Sequence, residues 1–142
     1  MTKTPIPYSG IREAFDFVSF GQPMENEGYL CLETGKCYLH SEYDDDEEPL
    51  PEDIHEADKY IAIPHKTELD LGKSLVLQFV DTHLPESYDK VREIFARSGA
   101  YARFKDLLEH RDALEKWYEY EETANEHALR QWCTDNNIEI VG

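Results

Sequence analysis

Ile11, Ala14, Phe15 and Val18 fall at i, i+3, i+4 and i+7, one apolar stripe of an amphipathic helix that Ser9 can cap and that Gly21 and Pro23 bring to an end. Residues 1–8 hold two prolines and little that could pack, so they are expected to form a disordered tail with order beginning near Ser9. The segment 29–40 carries two β-prone runs around Thr34 and Gly35, the pattern of a hairpin. Its register has two solutions. A two-residue loop pairs Leu30 with Leu39 and Leu32 with Cys37, but asks β-branched Thr34 to adopt a positive φ. A three-residue loop of Glu33, Thr34 and Gly35 removes that strain and sets Cys31 opposite Cys37, close enough in principle for a cross-strand disulfide; this register is favoured. A short alternating strand from Lys59 to Pro64 can extend the sheet.

The second half of the chain has a different period. Asp70 is placed to cap a helix running to about Thr82, although the apolar and β-branched run from 75 to 80 also fits a buried strand. Pro85 stands at a first helical position, and Tyr88, Val91, Ile94 and Phe95 recur at helical spacing until Ser98 and Gly99. Tyr101, Phe104, Leu107 and Leu108 share the face of a further helix. Asp112 and Glu115 form a capping-box pair at the head of the longest one. Its expected inward positions are Leu114, Trp117, Tyr118, Ala124, Ala128 and Trp132. Asn136 and Asn137 close it before a final strand candidate at 138–141.

Composition bounds what such elements can build. At 142 residues the chain is long enough for one domain with a real core, without disulfides or metal. Its 31 acidic residues against 14 Lys and Arg give a formal charge of −17. Phosphate backbones are bound by clustered cations, so whole-surface nucleic-acid binding is disfavoured and any such contact must be local. The longest apolar run is far short of the ~20 residues that span a bilayer, and the N-terminal residues show no export signal. With three cysteines, an odd count, the chain is expected in a reducing cytosol. Charge is unevenly spread. Residues 42–58 hold ten acids and no Lys or Arg, interrupted by Pro49 and Pro51, which reads as a loop or mobile arm. No acid falls between Ile94 and Lys105.

Several of these segments together resemble a known family. The hairpin turn Leu32, Glu33, Thr34 and Gly35, the acidic loop leading to the 60–64 strand, the stretch from Gly99 to Asp106, and the late Trp117, Tyr118 and Trp132 stand in one order. In that order the chain resembles the uncharacterised bacterial protein family 0158, from about residue 11 to residue 140. The resemblance implies a bacterial cytosolic protein. It supplies no activity and no catalytic residue, because the family has no assigned function.

Candidate chemistry is sparse. Glu52 and His55 have the Glu-x-x-His spacing of carboxylate-bridged di-iron helices, but they lie in a proline-flanked loop without a second copy. Cys31, Cys37 and His40 lack the close ligand pairs of structural zinc, and the acids around Asp44 and Asp46 lack the glycine and terminal Glu of a calcium loop. Neither a metal nor another cofactor is expected. The dispersed glycines make no phosphate loop, and Cys and His form no local nucleophile signature.

What stands out is an island of cations among aromatics: Arg97, Tyr101, Arg103, Lys105 and Arg111. Arg103 and Lys105 flank Phe104, so both lie off the buried stripe when Phe104 points inward. The bland account is a solvated face with helix-end and i,i+4 pairs. The functional account is an anion-recognising surface, with the acidic arm Asp44, Asp45, Asp46, Glu47 and Glu48 either covering it or mimicking a phosphate backbone toward a basic partner.

The sequence therefore predicts a single α+β domain over 9–142: a small antiparallel sheet built on the 29–40 hairpin, packed with a C-terminal helical half. The favoured function is a non-catalytic cytosolic protein–protein interaction module, adaptor, inhibitor or antitoxin-like, working by charge complementarity. The alternatives are an enzyme or ligand-binding domain for an anionic small molecule, and local RNA binding through the island.

Overall fold

The computed structural model describes residues 5–41 and 49–142. In chain order these form β1 (Ile6–Pro7), α1 (Tyr8–Ser19), β2 (Asn26–Cys31), β3 (Cys37–Ser41), β4 (Tyr60–Ala62), α2 (Lys73–His83), α3 (Tyr88–Ile94), α4 (Ala100–His110), α5 (Leu114–Asp135) and β5 (Ile140–Val141). Two units can be distinguished. One comprises Met1–Leu69 with Ala128–Gly142, the other Asp70–His127. The strands lie in the first and α2 to α4 in the second, which makes the fold class α+β.

In the first unit α1 buries the expected stripe, Ile11, Ala14, Phe15 and Val18, against β2 and β3. Its start differs from expectation. Pro7 takes the N-cap, where a missing N–H costs no hydrogen bond, and Ser9 lies inside the helix. Nor are residues 5–8 a tail. Ile6 is buried, its N–H donates to the Glu139 carbonyl at 2.9 Å, and β1 pairs in parallel with β5. A two-residue strand whose partner lies at the other end of the sequence has no local periodicity to announce it.

The hairpin forms, in neither anticipated register. Leu30 faces Cys37, and a four-residue loop follows: the Cys31 N–H donates to the Lys36 carbonyl at 2.8 Å, and the Cys31 carbonyl accepts from the Gly35 N–H at 2.8 Å. Gly35, at φ +79°, supplies the left-handed residue that closes the loop, so Thr34 keeps a negative φ. Cys31 and Cys37 consequently project from opposite faces of the sheet and cannot be bridged. β4 pairs antiparallel with the other edge of β2, giving the order β3-β2-β4.

The described end of the acidic run, residues 49–58, is held in place and is not a free arm. Ile54 is buried, and the Asp53 carboxylate accepts from Lys59 Nζ at 3.0 Å and Tyr60 Oη at 3.1 Å. Those bonds, the lysine's first, hold the Asp53 carboxyl below its usual range.

In the second unit Leu75, Val76, Phe79 and Val80 are buried on one face of α2, which resolves the 75–80 run as helix. Gly72 is its N-cap; Asp70 stands two residues earlier at φ +56° and is not the cap. Pro85–Ser87 form a 3₁₀ turn before α3, which ends at Ile94, four residues ahead of Ser98. Asp112 is likewise not an N-cap. It sits at φ +53° in a Schellman turn that terminates α4: its N–H donates to the Glu109 carbonyl, and that of buried Ala113 to Leu108 at 2.9 Å. Asn137, at φ +59°, closes α5 by the same device, with Ile138 N–H on the Cys133 carbonyl at 2.8 Å.

The centre of this unit is aromatic. Trp117 is 1% exposed and packs edge-on against Phe104 and Phe79, with centroids at 5.2 and 5.3 Å. Phe104 continues to Phe95 at 5.7 Å, and Phe95 to Tyr101 at 5.0 Å. Tyr118, expected inward, is 43% exposed because the buried face of α5 runs through Trp117, one residue or about 100° away.

Trp117→Ala should therefore cost about 3–5 kcal/mol in urea unfolding, whereas Tyr118→Ala, which removes only a half-exposed ring, should cost about 1 kcal/mol or less. Oxidation of the native protein with diamide followed by peptide mapping should yield no disulfide between Cys31 and Cys37. Recovery of that linked peptide pair would overturn the register.

Candidate functional site

α3 and α4 diverge from the turn 95–99 and enclose an open recess of about 510 Å³. Three cations line it: Lys90 and Arg97 from the α3 side and Arg103 from α4. Lys90, Glu93 and Ile94 follow one another along α3 at i, i+3 and i+4, with Arg97 in the turn beyond it, and Arg103, Asp106 and Leu107 follow along α4 at i, i+3 and i+4, so each helix contributes a cation, an acid and an apolar residue. Ile94 is buried and Leu107 half-buried, and these two make the apolar floor.

The turn prearranges the Arg103 side chain. Gly99, in the left-handed conformation at φ +73°, is the N-cap of α4, and the guanidinium folds back to donate from Nη2 to the Ser98 carbonyl at 2.9 Å. Four of its five N–H donors stay available. Among the described residues, neither Lys90, Arg97 nor Arg103 has a carboxylate within ion-pair distance, whereas Arg111 of the same unit pairs with Glu86 at 3.3 Å. No acid occupies the first turn of α4, and no side chain caps it, so its positive end adds to the potential of the three cations.

The five residues of the predicted island part company. Arg97 and Arg103 share the recess. Lys105 turns to the opposite flank of α4 and lies over the Tyr118 ring at 5.6 Å, as a residue two positions from Arg103 must on a helix. Arg111 is held by Glu86. Tyr101 is half-buried against Phe95, and burial, with the Glu121 charge, raises its phenol pKa. Asp44, Asp45, Asp46, Glu47 and Glu48 lie outside the described residues. Sequence reasoning missed Lys90, Glu93 and Asp106, although the i, i+3, i+4 spacing of Lys90, Glu93 and Ile94 was available as a signal.

Other groups do not join this lining. It holds no Cys or His. Among the described residues, no group of three or more His, Cys, Asp or Glu could hold a metal ion, and no helix is long and apolar enough to cross a membrane. Cys133 is buried on α5, and burial pushes its thiol up to about 11. At Cys31 burial also opposes the thiolate, but bonds from the Thr34 hydroxyl and from the Thr34 and Glu33 backbone outweigh it and lower the pKa.

The chain belongs to the Uncharacterised protein family (UPF0158), whose model matches residues 12–142. No curated protein and no solved structure matches it.

Because the Cys133 pKa is raised on folding, the stabilisation linked to its neutral thiol is complete below the ordinary value of 9.0 and is lost as pH rises through about 11. Between those limits the native protein should lose stability relative to Cys133→Ala, measured by urea unfolding at each pH. A difference that stays constant across the window would contradict the assignment.

Proposed function

We propose that this chain is a non-catalytic cytosolic protein-binding module, and that the α3–α4 recess is the surface through which it takes an acidic part of its partner. One observation carries the reading: Lys90, Arg97 and Arg103 converge on one open recess and remain without ion pairs in a unit that has thirteen Asp and Glu and only eight Lys and Arg. Acids are abundant enough to neutralise every cation. Three left available at one place constitute a complementary surface for an external anion. The lining offers charge and apolar surface, the groups that binding requires. Its concavity keeps an anionic small molecule as a second reading, since about 510 Å³ is within the range of metabolite sites.

The test is a pull-down from nuclease-treated bacterial lysate at low salt, with bound species identified by mass spectrometry. The native chain and Lys105→Glu should retain a common protein that Arg97→Glu with Arg103→Glu loses, and retention should fall as salt is raised. Equal retention by all three chains would refute the recess as the binding surface.

A further inference from the structure

Resting on that reading, we propose that the recess recognises a short acidic peptide segment in which an apolar residue stands between two carboxylates. Arg97 stands in the turn 95–99 and the Arg103 guanidinium bends back to Ser98 in that turn, whereas Lys90 lines the recess from α3, seven residues before Arg97, so the occupant must present anions toward both the turn and Lys90. Planar guanidiniums pair carboxylates through two parallel N–H bonds, and Arg103 is already oriented by Ser98 for such a pair. Ile94, one helical turn after Lys90 and three residues before Arg97, and Leu107 add apolar surface to the same recess, which a bare anion would leave wet and an intervening Leu or Phe would cover.

The two acids decide between classes of polyanion. Glu93 stands four residues before Arg97 and Asp106 three residues after Arg103, each on the same wall as its cation. A peptide has backbone N–H groups to donate to both carboxylates. A phosphate backbone has none, and its continuous row of negative charge meets repulsion at both places. The acids thus act as selectivity elements, admitting an anion that is interrupted and can donate hydrogen bonds, and rejecting one that is uniform. The net charge of −17 pushes in the same direction.

Fluorescence anisotropy with labelled probes tests this on the full chain. The probes are a Glu-Asp-Leu-Asp-Glu peptide, its Leu→Ser analogue, poly-Glu of equal length and an oligothymidylate. The Leu peptide should bind the native chain and lose at least about tenfold with Arg97→Glu and Arg103→Glu. The Ser analogue should bind several-fold more weakly than the Leu peptide. Glu93→Gln with Asp106→Asn should raise affinity for poly-Glu and oligothymidylate more than for the Leu peptide, a gain that a merely structural role for these acids would not produce. Circular dichroism of each variant establishes that it is folded.

Equal binding of the Leu and Ser peptides, or tighter binding of oligothymidylate than of the Leu peptide to the native chain, would overturn the proposal. A lysate protein lost from the double arginine variant together with no peptide binding would overturn this inference and leave the protein-binding reading standing. Peptide binding that the arginine variant does not weaken would place the acidic peptide elsewhere, again against the proposal.

Discussion

The burial of Phe104 against Trp117 is the constraint on which the candidate site depends. With that ring fixed inward between α4 and α5, the rotation of α4 about its own axis is set, and its two neighbours are thrown about 100° to either side. Arg103 goes to the α3 side and enters the recess; Lys105 goes to the other and settles over Tyr118. The second contact of Phe104, with Phe95 just beyond α3, fixes the helices' other boundary, because Phe95 is also held by Tyr101 at the start of α4. Edge-to-face aromatic pairs add about 0.5–1.5 kcal/mol each beyond the area they bury, and their orientation preferences resist rotation as well as separation. An apolar core decision therefore determines which cations can act together.

Charge supplies the other half of the arrangement. In a strongly acidic unit the lowest-energy surface would be expected to intersperse Lys and Arg among the acids, as Arg111 does with Glu86. Exposed pairs of that kind are worth at most about 1 kcal/mol, so leaving Lys90, Arg97 and Arg103 unpaired sacrifices little stability. What it preserves is hydrogen-bonding capacity facing a concave surface, where partial exclusion of water strengthens each contact above its value on a flat exposed face. Glu93 and Asp106 moderate the field without pairing with the cations they adjoin. A recess with formal charges of both signs attracts anions less strongly than a purely basic one.

Much of the architecture was legible in the chain because it depends on local period. The α1 stripe of Ile11, Ala14, Phe15 and Val18 is buried as its spacing required, and the antiparallel hairpin and the β4 extension lie where alternating residues put them. Features set by distant partners were not legible. The β1–β5 pair joins the two ends of the sequence through only two residues each, and the hairpin register turns on a single left-handed glycine whose loop can hold two, three or four residues with the same sequence. Asp70 and Asp112 illustrate a different ambiguity: aspartate serves as an N-cap and also tolerates positive φ, and at both positions the second property is used. The candidate site was half legible for a related reason. Arg97 and Arg103 are close in sequence and end up close in space, but Lys105 and Arg111 belong to other flanks, and Lys90 joins from α3, seven residues before Arg97.

The turn 95–99 is where local sequence and site geometry meet. α3 stops at Ile94, earlier than its apolar spacing suggests, and five residues follow before α4, the last of them Gly99 in a left-handed conformation that costs glycine little. A turn one residue longer or shorter would enter α4 with its register rotated by about 100°. Either Phe104 would leave Trp117, or α4 would keep its aromatic contact and shift against α3, separating Arg103 from Arg97. The same five residues also provide the Ser98 carbonyl that holds the Arg103 guanidinium. Length, the left-handed glycine and the carbonyl acceptor thus act as one device: the turn that joins the two walls of the recess also sets the spacing and orientation of the cations on them.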